Sequence, residues 1–135
     1  MLSETNQAAE ILLVEDDPGL ARALEVVLRR EGYPVVLATD GQAAMDLIIK
    51  RRVALVISDI FMPEGDGFEL LNFLRRLTPH PPLVAMSGAG DGRVSNILEI
   101  ASALGATRIL AKPFATAQLL ALVHELIGPP VQDPA

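Results

Sequence analysis

Three carboxylates, a hydroxyl and an ammonium stand where this chain could do chemistry: Glu15, Asp16, Asp59, Ser87 and Lys112. Each closely follows or ends a short apolar run. Ile11–Val14 leads into Glu15-Asp16-Asp17-Pro18, Val53–Ser58 into Asp59, Pro82–Met86 into Ser87, and Arg108–Leu110 is followed by Lys112-Pro113. A carboxylate at the edge of so apolar a segment is costly unless something compensates it. Two unit charges ~4 Å apart repel by about 4 kcal/mol at an effective dielectric near 20, so a cluster of carboxylates raises a pKa or recruits a cation. Hard oxygen ligands with no His or Cys nearby suit Mg²⁺, which keeps several waters and favours phosphate oxygens. Lys112 is one of two lysines against nine arginines, and at the same edge it could neutralise an incoming phosphoryl group while Ser87 donates a hydrogen bond. These groups together suggest phosphoryl transfer to Asp59 as nucleophile.

The elements that must position them alternate. Helical period follows each apolar run: Pro18 to about Glu31 (with Leu20, Leu24, Val27 and Leu28 on one face), about Gly41 to Lys50, about Gly67 to Leu77, near Val94 to Leu104, and near Thr116 to Ile127. Five strand–helix repeats with continuous rather than alternating apolar strands predict a parallel sheet covered on both faces. Five units are too few to close an eight-stranded barrel, so the fold class is α/β, an open, doubly wound three-layer sandwich. In such sheets ligands bind beyond the carboxyl ends of the strands, and every candidate group lies there. Asp17, just before a proline at the first helical position, is the expected N-cap of the first helix. Asp66-Gly67-Phe68-Glu69 reads as a capping box.

Composition narrows the function. The chain has 135 residues and a net charge of −6, with no cysteine. That length suits one domain, and the lack of cysteine excludes disulfides and is compatible with a reducing, cytoplasmic location. No signal peptide or membrane-spanning run is legible. Lys50-Arg51-Arg52 is the one basic cluster and fits a solvated helix end, so no nucleic-acid partner is expected. Ser87-Gly88-Ala89-Gly90-Asp91-Gly92 lacks the dinucleotide fingerprint and the P-loop lysine and is expected to be a loop. His80 and His124 are expected on the surface, with no partners that would make either a phosphohistidine or a metal ligand, so a phosphoryl donor would be another protein.

The blocks ILLVEDDP, VISDIFMPEGDGFELL, VAMSG and GATRILAKPF, in this order and spacing, resemble the signature blocks of the two-component response-regulator receiver domain, from Ile11 to Ile127. The resemblance is to the single-domain, chemotaxis-type stand-alone receivers. It implies a flavodoxin-like sheet of order 2-1-3-4-5, which would bring Glu15, Asp16 and Asp59 together. By position, Asp59 resembles the phosphoacceptor, Asp16 the direct Mg²⁺ ligand, Glu15 its partner, and the Phe61 backbone carbonyl a third protein ligand. Ser87 and Lys112 would bind phosphoryl oxygens, and Lys112-Pro113 resembles the family's cis peptide. The implied partners are a sensor histidine kinase or a histidine phosphotransfer protein, and a downstream protein. The implied catalysis is limited to the chain's own aspartyl phosphorylation and dephosphorylation.

Some positions depart from that pattern. Ile109 stands where the family commonly has Tyr or Phe as the switch partner of the Ser87 position, and a β-branched side chain is stiff at χ1. Output is therefore expected to rely on the loop from Gly88 to Arg93 and the helix after it. Phe61 and Ala89 are apolar and cannot orient an attacking water, so neither is expected to speed loss of the phosphoryl group. Leu119, Leu122, Val123 and Leu126 make an inward stripe on the last helix, while Leu120 and Ile127 are expected opposite, as an apolar patch for a partner or a dimer. Residues 1–9 are expected to be a flexible segment, 10–128 the receiver and 129–135 a loose tail. The start at Met1 and the eight residues after Ile127 favour a stand-alone switch. The alternatives are a receiver excised from a larger regulator or hybrid kinase, or a degenerate receiver used only for binding. An aspartate-nucleophile phosphohydrolase would need an acid–base Asp where Phe61 stands and a substrate cap.

Overall fold

The computed structural model describes residues 9–60, 66–87 and 105–130, with the backbone alone at residues 66–68. Five parallel strands lie in the order β2-β1-β3-β4-β5. They are β1 (Glu10–Val14), β2 (Val35–Ala38), β3 (Val53–Asp59), β4 (Leu83–Ser87) and β5 (Arg108–Ala111). The described helices are α1 (Pro18–Glu31), α2 (Gly41–Lys50), α3 (Asp66–Arg75) and α4 (Thr116–Ile127). The helix expected near Val94–Leu104, the Gly88–Arg93 loop, Ala89 and the Phe61 carbonyl lie outside the described residues, as do the side chains of the capping box at Asp66, Gly67 and Phe68.

The two-residue period of the strands sorts the core into layers. Ile11, Leu13, Leu55, Ile57, Val84 and Met86 face Leu24 and Leu28 of α1 and Leu119 and Val123 of α4. Leu12, Val14, Val56 and Leu83 face Ala44 of α2 and Leu70, Leu71 and Leu74 of α3. Both faces of the central strands are therefore dry, as continuous apolar runs require. The outer strands are wetter: Leu37 on β2 is 38% exposed, and Arg108 and Ala111 on β5 are exposed.

Local chemistry sets the helix ends. The Asp17 carboxylate accepts from the amides of Gly19 at 3.0 Å and Leu20 at 3.3 Å, and Asp40 caps α2 through the Ala43 amide at 2.8 Å. Helix α1 stops at Gly32, whose φ of 107° is the left-handed cap that a Cβ disfavours. A Cβ there would also come within 3.0 Å of Pro130 Cγ. Lys50 and Arg51 close α2 at the surface, with Arg51 paired to Glu10.

Helix α3 runs from Asp66 to Arg75, within two residues of the expected bounds of about Gly67 to Leu77. One expectation is corrected. On α4, Leu120 and Ile127 do not form an outer apolar patch, because both pack against the core beside Leu122 and Leu126. The helix buries a wider arc than one stripe. Among the described residues the exposed large apolar side chains are Leu37 and Ile49, and neither belongs to α4.

Candidate phosphoryl-transfer site

Strand register assembles the site. Val14 of β1 pairs with Ser58 of β3, so the next residues, Glu15 and Asp59, emerge side by side. Asp59 pairs with Met86, which puts Ser87 one strand over. Ser87 pairs with Ala111 of β5, and the following Lys112 amide donates to the Ser87 carbonyl at 2.7 Å. Strands lie about 4.8 Å apart, so β5 is roughly 10 Å from β3 and only a long side chain can cross β4. Lys112 does so. Its Nζ lies 3.0 Å from Glu15 Oε1 and 3.0 Å from Asp59 Oδ2. The Lys112–Pro113 peptide that launches this side chain is cis, as is Thr78–Pro79.

Glu15 and Asp59 are buried, at 2% and 7% exposure, and Ser87 is fully buried. Asp16 is exposed. One oxygen from each of Glu15, Asp16 and Asp59 lies within 4.8 Å of the others. Burial pushes the Glu15 carboxyl above its ordinary value, with repulsion from Asp59 in the same direction. The hydrogen bond from Lys112 and the Asp17 amide, at 3.2 Å, oppose that rise. Burial alone would lower the Lys112 ammonium, but its hydrogen bonds and charge attraction to Glu15 and Asp59 outweigh it and leave its pKa raised. The lysine is thus held as a cation. Three carboxylates against one ammonium leave an excess of negative charge, and the oxygen donor set fits a hard divalent cation.

The Ser87 hydroxyl is buried with no hydrogen-bond partner among the described residues. Such a group is expensive in a native interior unless it has a functional use. A donor at this edge, near the Lys112 ammonium and a carboxylate, suits the oxygens of a transferred anion. The structure thus gathers Glu15, Asp16, Asp59, Ser87 and Lys112 at one edge. Ile109 is half-buried on β5, in register with Ala85 and on the same sheet face as Ser87 by strand alternation. An apolar groove of about 390 Å³, lined by Leu20, Leu24 and Val27 of α1 with Lys112 and Phe114, adjoins the site.

Sequence reasoning overlooked Ser58. Its hydroxyl is buried at 1% exposure and donates to the Asp59 backbone carbonyl at 3.0 Å. The available signal was a lone hydroxyl closing the apolar run Val53–Ile57.

Residues 11–124 match the response regulator receiver domain family. The response regulator protein FleR of Pseudomonas aeruginosa is 40% identical over 118 residues, covering 86% of this chain and 24% of FleR. The receiver domain of NtrX from Brucella abortus superposes with a TM-score of 0.79 at 28% identity, covering 87% of this chain and 98% of that domain. The longer NtrX chain is matched with the same score and identity, but over only 27% of its length. This chain therefore spans about a quarter of FleR and of the longer NtrX chain.

Proposed function

Because the chain belongs to the response regulator receiver domain family, and so is a phospho-aspartate switch of two-component signalling, we propose that Asp59 is its phosphoacceptor. The observation that carries this reading is the Lys112 ammonium 3.0 Å from both Glu15 and Asp59, beside the three clustered carboxylates. The Asp59 carboxylate oxygen attacks the phosphorus of a phosphohistidine on a partner kinase or phosphotransfer protein. The new P–O bond forms as the P–N bond breaks, and the imidazole nitrogen leaves with the electron pair and takes up a proton. Lys112 neutralises a phosphoryl oxygen, and the Ser87 hydroxyl donates to another.

Glu15, Asp16 and Asp59, with the Phe61 carbonyl, would hold Mg²⁺, which supplies charge neutralisation to the phosphoryl group when bound. The buried Glu15 would offset the charge of the cation and would anchor Lys112, 3.0 Å away, between transfers. The groove beside Lys112 offers a donor protein an apolar surface next to the acceptor. Chemistry of this kind modifies the chain itself and turns over no external substrate. The receiver is assigned to residues 10–128, in the cytoplasm, where histidine kinases present their phosphohistidine.

Incubation with acetyl phosphate and Mg²⁺ tests the reading. Stoichiometric acid-labile labelling that disappears in Asp59→Asn is expected. Multiple turnover would instead indicate a phosphohydrolase, and no labelling a binding module. A second reading is that this receiver works as one part of a larger regulator or hybrid kinase, favoured by its covering only about a quarter of FleR and of the longer NtrX chain. Output would then pass to an attached domain rather than a separate target or a dimer partner. The mass of the native protein on an immunoblot separates the two.

A further inference from the structure

Four polar side chains are buried among the described residues: Glu15, Ser58, Asp59 and Ser87. Three belong to the phosphoryl-transfer machinery, and Ser58 has had no role. Alternation along β3 puts Ser58 on the face of Val56, and register places it between Val14 of β1 and Ala85 of β4. All three of these neighbours are fully buried. An alanine or valine would fill the position without desolvating a hydroxyl. The hydroxyl's hydrogen bond goes to the Asp59 carbonyl at 3.0 Å, while the Ile60 amide of the same peptide unit donates to the Met86 carbonyl at 2.9 Å. A peptide unit is rigid and planar, so holding both its oxygen and its N–H fixes ψ of Asp59 and φ of Ile60 together. That sets how the Asp59 side chain leaves the sheet, just where the strand ends.

We propose that Ser58 is a positioning residue for aspartyl phosphorylation, its hydroxyl fixing one end of the Asp59–Ile60 peptide while Met86 fixes the other. The proposal rests on Asp59 being the acceptor. Ser58 touches neither the metal nor the phosphoryl group. It narrows the directions the nucleophilic carboxylate explores, and in reactions governed by positioning small misplacements are costly in rate. Its effect belongs to the chemical step rather than to cation binding.

The test measures acetyl phosphate labelling of the full chain across a Mg²⁺ titration for the wild type, Ser58→Ala, Ser58→Thr and Asp59→Asn, with unfolding midpoints alongside. For Ser58→Ala the expected result is a fall of about tenfold in labelling rate at saturating Mg²⁺, equivalent to ~1.4 kcal/mol of barrier. The half-saturating Mg²⁺ concentration stays at the wild-type value, and the variant remains folded at the assay temperature, below its unfolding midpoint. Ser58→Thr, which keeps the hydroxyl, recovers most of the rate. A wild-type rate in Ser58→Ala overturns the proposal. So does a loss explained by weaker Mg²⁺ binding or by unfolding at the assay temperature, or a loss that threonine leaves unrepaired. Undiminished labelling of Asp59→Asn would instead strike down the acceptor assignment itself.

Discussion

Lys112 holds two buried carboxylates at once, and under the proposed mechanism that makes it a competitor of the cation as well as a ligand of the anion. Its Nζ lies 3.0 Å from both Glu15 and Asp59, where a divalent ion would draw on the same oxygens. Removing the ammonium therefore has two opposite effects. Repulsion between like charges ~4 Å apart is about 1 kcal/mol even in a water-like dielectric, so Lys112→Gln should bind Mg²⁺ at least about fivefold more tightly. Labelling by acetyl phosphate should fall about a hundredfold or more, because a charge poised on the transferred group is lost. Calorimetric Mg²⁺ titration and the labelling rate check the two halves, and weaker Mg²⁺ binding in the variant would contradict the geometry. The acidic and basic residues of this site were legible from their types alone, each at the end of an apolar run. The double contact of Lys112 was not, because it depends on a strand order that the residue pattern does not dictate. Ser58 was not legible either: its role turns on the direction of one hydroxyl inside a strand.

Among the elements, α1 was the most readable, because its ends are written in residues with one evident use. Asp17-Pro18 starts it and Gly32 ends it, as capping preferences predict. Helix α4 misled, because helical period alone assigns one inward stripe, whereas a helix lying in a broad groove buries its flanks too. Leu120 and Ile127 reach the core from those flanks. Strand edges were hidden for a similar reason: Leu37 belongs to an apolar run like any other, and only its place in the outermost strand exposes it. At Gly32 the reading is firm enough to predict. Gly32→Ala must adopt φ near 107° and meets Pro130 Cγ at 3.0 Å, so it should cost about 1–2 kcal/mol. Urea unfolding measures this, and the contact with Pro130 adds a control. Gly32→Ala combined with Pro130→Ala should lose less than Gly32→Ala alone, by the relief of that one clash.

Across the whole molecule, the end of the sheet opposite the phosphoryl-transfer site is fastened by one tyrosine. The Tyr33 hydroxyl, in the turn after α1, donates to the Gly128 carbonyl at the end of α4 at 2.7 Å. The bond ties residues 95 positions apart and joins the two helices that cover one face of the core. Burial, with the nearby Glu31 charge, raises the Tyr33 pKa above 10.0. A group whose pKa is raised on folding contributes stability fully present below its unfolded value, which is lost as pH climbs through the folded value. The loss should therefore begin near pH 10 and grow above it, since the phenolate can no longer donate to Gly128. Tyr33→Phe should be less stable at pH 7 by about 1 kcal/mol, the worth of one hydrogen bond. Its deficit relative to the wild type should shrink as the pH passes the folded pKa. The chain has one tyrosine and no tryptophan, so phenolate absorbance in the near ultraviolet titrates Tyr33 alone. Urea unfolding at matched pH then reports the linked stability. A Tyr33 midpoint at or below the ordinary value, or a deficit that stays constant up to high pH, would show that this bond does not hold α4 to the rest of the fold.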